Sequence, residues 1–377
     1  MTKSQTTLLW VKAGGRCEFE GCNKLLYKDS FLPFVERNLA DNAHIVAKKA
    51  KGPRGNTVLS PKLAKDISNL MLTCKFCHDR IDHNQEIFTI DKLRKMKKRH
   101  EERIERMTNI SEENRTNLII YWANIGRQSN PIDINKAQLA VVEDNKYPAE
   151  ASIVDLSLSG NASYDNEDDF WKMEKLNLEK RFNDKLKDKI ADKSENQHYS
   201  VFAFAPIPLL IKLGSMLTDK TNVQVYQRHR EPKDTWEWLE AKFDLKFSIT
   251  KLQEKSGNLA LILSISSFIP VDDVTNVLGD NISIWQITIE NPNNDCIKSK
   301  EHLSAFRKIF RDTLHEIKKN HGSNALINIF PAIPLSVAIE MGRVWMPKAD
   351  LPMCIYDRNR GDGLPFIKRI SIGDENG

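Results

Sequence analysis

Two hexapeptides constrain this chain more than any other feature: Phe204 to Leu209 reads FAPIPL, and Phe330 to Leu335 reads FPAIPL. Each closes an apolar, strand-like run and opens a helical stretch. Each is followed, beyond a segment containing Gly214 or Gly342, by Val/Ile-Tyr-x-Arg, at Val225 to Arg228 and Ile355 to Arg358. Two matches in the same order at nearly the same offset are what a duplicated β-α-β unit leaves in a sequence. From about residue 149 onward, the runs ASIVDLSLSG, YSVFAFA, VQVYQRH, LALILSISSF, ISIWQITI, ALINIF and MCIYDR read as strands. They alternate with the helical FWKMEKLNLEKRFNDKLKD, a helix from about Leu209, AFRKIFRDTLHEIKK and another short helix. This alternation predicts an α/β domain over 149–377 made of two Rossmann-like subdomains, about 149–250 and 251–377. Ligands of such sheets lie beyond the carboxyl ends of the strands, where helix N-termini offer N–H groups to anions. Pro208 and Pro334 fall there, although proline also favours the first turn of any helix.

The first 107 residues have a different texture, because four of the six cysteines come in close pairs, Cys17-x4-Cys22 and Cys74-x2-Cys77. The opening residues carry no sustained apolar run and no small-residue cleavage site, and no stretch is apolar over a membrane-spanning length. A cytoplasmic protein without a membrane span is expected. In a reducing compartment, paired cysteines are read as metal ligands before disulfides, and four thiolates suit one tetrahedral structural zinc. Cys296 and Cys354 stand alone and read as buried structural residues.

Between and beside the pairs lie DNAHIVAKK with His44, DISNLMLTC with Asn69 and CKFCHDRID with His78. This order of histidine, asparagine and histidine, with the last directly after a cysteine, resembles the HNH family of ββα-metal nucleases. The resemblance covers roughly the first hundred residues and implies an α+β finger with structural zinc and DNA endonuclease activity. By that resemblance His44, on the second strand of the finger, is the general base, Asn69 pins the loop, and His78 binds a catalytic divalent metal, Mg²⁺. Successive helical residues point about 100° apart, so Cys77 can face zinc while His78 faces the cleft. The family often places an acidic ligand just before the first histidine, where this chain has Ala43; Asp41, Asp66 and Asp82 are the alternatives. The net charge of +5 is modest, but Lys48, Lys49, Lys51 and Arg54 cluster in a Gly/Pro-broken loop near His44, where cations can neutralise phosphates. The helical KLRKMKKRHEERIERM mixes glutamates among its cations and reads equally as a solvated face. Residues 108–148 read as a connecting helix and linker, the helix being SEENRTNLIIYWANIGRQSN.

The second domain resembles the SAVED domain of bacterial CBASS antiviral effectors, built from two fused CARF-like subdomains. The resemblance rests on YSVFAFAPIPLLIKLGSML, VYQRHREPKDTWEW and INIFPAIPLSVAIEMGRVW. It implies a cyclic di- or trinucleotide activator made by a partner nucleotidyltransferase, ligand-dependent homo-oligomerisation, and degradation of double-stranded DNA with little sequence specificity. Such a ligand presents flat bases and phosphates, so aromatic faces and cations are sought. Trp236, Trp285 and Trp345 are the stacking candidates, Arg228 and Arg358 the phosphate candidates, and Lys212 and Arg343 weaker ones. By size alone each tryptophan also belongs in a core. Two readings compete with the gated nuclease: a constitutive restriction-type HNH enzyme with a DNA-reading C-terminal domain, and a catalytically idle zinc adaptor.

Overall fold

The computed structural model describes residues 2–29, 36–192, 197–239, 241, 243–358 and 365–373. The chain divides into two compact units, Met1–Ser111 and Glu112–Gly377. The first opens with α1 (Lys3–Ala13), started by a capping box between Thr2 and Gln5. A short antiparallel pair, β1 (Tyr27–Asp29) and β2 (Glu36–Asn38), follows. Next come β3 (Ala40–His44), α2 (Leu59–Leu63), a 3-10 turn at Ile67–Asn69 and β4 (Leu70–Cys74). β3 and β4 pair antiparallel with regular register from Ala40 opposite Cys74 to His44 opposite Leu70. α3 (Lys75–His83) leaves β4 without a loop, completing a strand-strand-helix arrangement, and α4 (Ile90–Asn109) closes the unit. His44 thus ends the first strand of this pair, not the second as the sequence suggested.

The unit's core explains its elements. All five residues of β4 are buried, and Leu9 and Ala13 of α1, Ile45, Ile81 of α3, and Leu93 and Met96 of α4 pack with it. In α4 the buried positions Leu93, Met96, Lys97 and His100 recur at helical spacing. Most of its charges face solvent, as one sequence reading had it. Lys97 is an exception, buried against the carboxylates of Glu18 and Glu101.

The second unit holds two sheets. β5 (Arg115–Trp122), α5 (Ile134–Glu143) and β6 (Tyr147–Asp155) come first. α6 (Asp168–Phe182) continues through one π turn into α7 (Asp188–Ala191). Then come β7 (Tyr199–Phe204), α8 (Ile207–Leu217) and β8 (Val223–Val225). These strands form an all-parallel sheet in the order β6-β5-β7-β8. The second series runs β9 (Phe247–Gln253), β10 (Asn258–Ser264), α9 (Val271–Leu278), β11 (Ile282–Ile289) and α10 (Lys300–His321). It ends with β12 (Ile327–Ala332), α11 (Leu335–Val344), β13 (Met353–Asp357) and β14 (Ile367–Ile372). Its sheet has the order β14-β13-β12-β10-β11-β9, parallel within and flanked by antiparallel β14 and β9. The inner orders β6-β5-β7-β8 and β11-β10-β12-β13 correspond strand for strand, so the duplication that two hexapeptides announced extends over four strands of each sheet. Near-continuous apolar runs such as YSVFAF in β7 suit strands covered on both faces.

Two expectations need correcting. The helix expected within 111–130 is a strand: Arg115–Trp122 is β5, an inner strand of the first sheet, buried from Leu118 to Tyr121. A continuous apolar run has no period of its own, and the β-branched and aromatic content of LIIYW decides for strand. SEEN, which resembles a helix cap, makes only the 3-10 turn Glu112–Asn114. The α/β unit therefore begins near residue 112 rather than 149, and the second sheet begins at Phe247.

α8 and α11 cross at the two glycines that follow the hexapeptides. A Cβ on Gly214 would lie 2.0 Å from the carbonyl oxygen of Ile339, and one on Gly342 would lie 2.0 Å from that of Ile211. Backbone cannot yield as a side-chain tip can, so the helices would have to separate. Gly214→Ala and Gly342→Ala are each expected to destabilise the second unit by about 2–3 kcal/mol, the upper range of overpacking. Urea unfolding followed by tryptophan fluorescence measures this; an unchanged midpoint in either variant would show that the crossing tolerates a methyl group.

Candidate functional site

In the first unit the four paired cysteines converge, their sulfurs all within 4.8 Å of one another. Cys17 approaches on the stretch after α1, Cys22 on the next turn, Cys74 ends β4, and Cys77 sits in the first turn of α3. Tetrahedral Zn–S bonds of about 2.3 Å require sulfurs about 3.8 Å apart, and the cluster is compatible with zinc. Burial and the neighbouring thiols push Cys17 up to about 12, and burial raises Cys77 as well. Cys17 and Cys77 thus favour the thiol until a cation compensates the charge, whereas Cys74, against the effect of burial, is lowered by hydrogen bonds from the neighbouring cysteines. The backbone N–H of Cys74 donates to Cys17 Sγ at 3.3 Å, the kind of bond that steadies a ligating sulfur.

Asn69 is buried and ties the loop, the role the HNH resemblance implied. Its Oδ1 accepts from the Val46 N–H at 2.8 Å, while its Nδ2 donates to the Val46 carbonyl at 2.8 Å and to the Leu63 carbonyl at 3.3 Å. That brace holds the chain leaving His44. His44 Nε2 lies 3.4 Å from the Ala64 carbonyl. A carbonyl only accepts, so the neutral tautomer that donates to it from Nε2 is the one that has its lone pair on Nδ1.

His78 lies between two carboxylates, with Nδ1 3.3 Å from Asp41 Oδ2 and Nε2 3.5 Å from Asp82 Oδ2. Asp66, the third carboxylate considered, instead accepts from the Ser68 N–H at 2.8 Å and caps the turn. Lys48, Lys49 and Lys51 are exposed, as phosphate partners must be. Arg54 is not: its side chain is 4% exposed and turned inward.

In the second unit a cleft of about 1090 Å³ opens beyond the carboxyl ends of the strands. Its walls are the segments after β5 (Ile125 to Gln128), β7 (Phe204 to Ile207), β10 (Ser266 to Ile269) and β12 (Pro331 to Leu335). In each sheet the connection reverses direction between the first and third strands of its series, and such switch points are where open α/β sheets leave room for ligands. The pseudo-symmetry brings both switch points to one cleft. Burial pushes the Asp357 carboxyl on its wall up to about 7, and Asp165 nearby adds to the shift.

Residues 178–372 match the family model of the SMODS-associated and fused to various effectors sensor domain, SAVED. The chain belongs to the SAVED family. It is also similar to solved SAVED/CARF-domain containing receptors. The Acinetobacter baumannii Cap4 receptor with the cyclic trinucleotide 2'3'3'-cAAA is 11% identical at a TM-score of 0.43, over 84% of this chain and 65% of that one. The same receptor with 3'3'3'-cAAA is 12% identical at 0.44, over 84% and 66%. The Moraxella osloensis Cap4 receptor is 11% identical at 0.37, over 75% and 60%. The chain thus spans just under two thirds of the length of the Acinetobacter receptors. No curated protein matches the sequence.

The SAVED cleft sorts the sequence candidates. Pro334 lines it, but Pro208 lies inside the first turn of α8, and Pro206 lines the cleft instead. Arg228 and Arg358 both line it, each already paired. Arg228 Nε donates to Asp234 at 2.9 Å with its guanidinium over the Phe204 ring, and Arg358 Nη1 donates to Asp273 at 2.8 Å. The tryptophans are core residues and offer no open face. Trp236, 3% exposed, packs edge-on to Phe202. Trp285, also 3% exposed, donates to His321 Nε2, and Trp345, 5% exposed, donates to the Leu351 carbonyl. Lys212 pairs with Glu179, and Arg343 is buried, bonded to Glu340 and to the carbonyls of Thr218 and Thr221.

What sequence reasoning missed lies in the SAVED loops. Tyr164 is 38% exposed and Phe268 66% exposed, and both line the cleft. Arg127 and Arg230 line it exposed, without an ion-pair partner among the described residues. A phenylalanine two residues before Pro270, in the loop-forming SSFIP, was the available signal. Among the described residues, no helix is long and apolar enough to cross a membrane.

Proposed function

We propose that this SAVED protein is a cyclic-oligonucleotide-gated endonuclease that degrades double-stranded DNA with little sequence preference, as an effector of antiphage defence. The observation that carries the nuclease reading is the set in the first unit: a half-buried strand-end histidine, an asparagine brace, and a helix histidine between two carboxylates. His44 Nδ1 takes the proton of the attacking water. His78 and Asp41 would hold a divalent metal, which supplies charge neutralisation at the leaving oxygen. Asp41 lies two residues before Ala43 on the same strand, so it replaces the acid that the HNH pattern puts next to the first histidine. Asn69 keeps His44 in place, and the exposed Lys48, Lys49 and Lys51 meet the backbone phosphates without reading bases.

For the cleft, Phe268 and Tyr164 offer faces for bases, and Arg127, Arg230 and the N-termini of α8 and α11 attract phosphates. The volume sits at the upper end of small-molecule sites and has room for several bases. An activator there can act only through its differential affinity for two states of the protein. One finger cuts one strand, so efficient double-strand breaks favour two centres held together by a larger assembly.

The test is plasmid cleavage in Mg²⁺ with a panel of cyclic di- and trinucleotides, beginning with the 2'3'3'- and 3'3'3'-cAAA bound by the Acinetobacter receptors, alongside light scattering. Cleavage should require one ligand and coincide with a rise in mass. Arg230→Glu should weaken activation more than charge reversal at the already paired Arg228 or Arg358. Equal cutting without ligand would favour a constitutive enzyme instead; ligand binding with no cleavage in any divalent metal would rule the nuclease out.

A further inference from the structure

Arg54 was read from sequence as one of four phosphate-binding cations, and the structure gives it a different place. The loop after His44 turns tightly: Gly52 N–H donates to the Lys49 carbonyl at 2.9 Å, and Gly55 N–H to that of Gly52 at 2.9 Å. A Cβ on Gly55 would lie 2.4 Å from the Ala50 carbonyl oxygen, so the turn closes only with glycine there. Arg54 itself has φ +54°, a left-handed backbone that a non-glycine residue adopts when its surroundings fix it. The turn leaves Lys48, Lys49 and Lys51 outside and sends Arg54 inward.

Inside, the guanidinium meets four acceptors from two segments, the end of β3 and the last turn of α3. Nε donates to the Ile45 carbonyl at 2.8 Å and Nη1 to the Ile81 carbonyl at 2.8 Å. Nη2 donates to the His44 carbonyl at 3.2 Å and to Asp82 Oδ1 at 2.8 Å. The other oxygen of Asp82 is the one that faces His78 Nε2. One planar group therefore grips the end of the strand carrying His44 and the last turns of the helix carrying His78. It also fixes the carboxylate behind the His78 ring. Asp41 is left on the opposite ring nitrogen.

We infer that Arg54 is a positioning residue for the nuclease centre: it sets the spacing of His44 and His78 and, through Asp82, the orientation of the His78 ring. The inference rests on the nuclease reading above. It assigns Asp82 the role of orienting His78 from behind, with Asp41 as the carboxylate that shares the metal. A fork of five donors in one plane can satisfy these acceptors, whereas a lysine ammonium in the same place keeps the charge and loses the span.

The test uses the full chain and Mn²⁺ as the probe, followed by electron paramagnetic resonance, with His78→Ala defining the signal that belongs to this centre. Arg54→Lys should retain zinc and a cooperative melt of the first unit. Its Mn²⁺ affinity and its plasmid cleavage should each fall about 10- to 100-fold, as for other residues that orient metal ligands. A purely structural role would lower the folded fraction and leave the affinity of folded protein unchanged. Should Arg54→Lys lose zinc or its fold, Asp82→Asn decides: the same losses are expected, and folded Asp82→Asn with wild-type Mn²⁺ affinity overturns the assignment. Folded Arg54→Lys that binds and cuts like wild type overturns it directly. Wild-type protein with no His78-dependent Mn²⁺ site sinks the nuclease reading, and this assignment with it.

Discussion

Cys77→Ser, or removal of metal by a strong chelator, is expected to unfold the first unit and leave the SAVED unit folded. The reason lies in where the cysteines sit. Cys17, Cys74 and Cys77 are part of the same buried cluster as Leu9, Met71, Leu72 and Ile81, so the cysteine cluster and the hydrophobic core are one structure. β4 is only five residues long and α3 has no side-chain cap at its N-terminus. Structural zinc contributes about 10–16 kcal/mol of binding free energy at neutral pH, larger than the net stability of a typical domain. Losing one thiolate forfeits much of it. The measurements are zinc content by elemental analysis and a calorimetric scan, in which the variant should show one transition in place of two. A Cys77→Ser protein that contains no zinc yet keeps both transitions would show that the core suffices and the cluster is incidental.

How much of this was legible in the sequence depends on how local each signal is. The cysteine pairs, Asn69 and the hexapeptides act through near neighbours or through chemistry with few alternatives, and the structure brings the four sulfurs together and closes the loop on Asn69 as read. β5 was misread because a buried strand and a buried helix share the same apolar run, and what decides between them is the neighbouring strand, β7, about eighty residues further on. Arg54 carries no sequence mark of its role, since most of its acceptors are backbone carbonyls that any residue could provide. The tryptophans drew attention by size and chemistry, and both properties also fit a core with one buried acceptor within reach. The open aromatics of the cleft, Tyr164 and Phe268, stand in loops, where periodicity says nothing about exposure.

His44→Ala is expected to lower ligand-activated cleavage by about 10²- to 10⁴-fold, the usual contribution of a general base. It should leave zinc content, cyclic-nucleotide binding and the melting profile unchanged. The asymmetry follows from the surroundings of the side chain. His44 is half-buried, and its ring reaches the Ala64 carbonyl only at 3.4 Å among the described residues, so truncation removes little packing and strands no buried partner. The main-chain features at this position do not depend on the ring: the pairing with Leu70 and the grip of Arg54 on the His44 carbonyl both survive alanine. His78→Ala should behave differently, losing Mn²⁺ binding together with cleavage, because its ring faces Asp41 and Asp82. Comparing the two variants separates the base from the metal ligand: one keeps the metal and loses the proton acceptor, the other loses the metal. If His44→Ala degraded plasmid at the wild-type rate with Mn²⁺ still bound, Nδ1 of His44 is not the base, and the water must give its proton to a group elsewhere in the first unit.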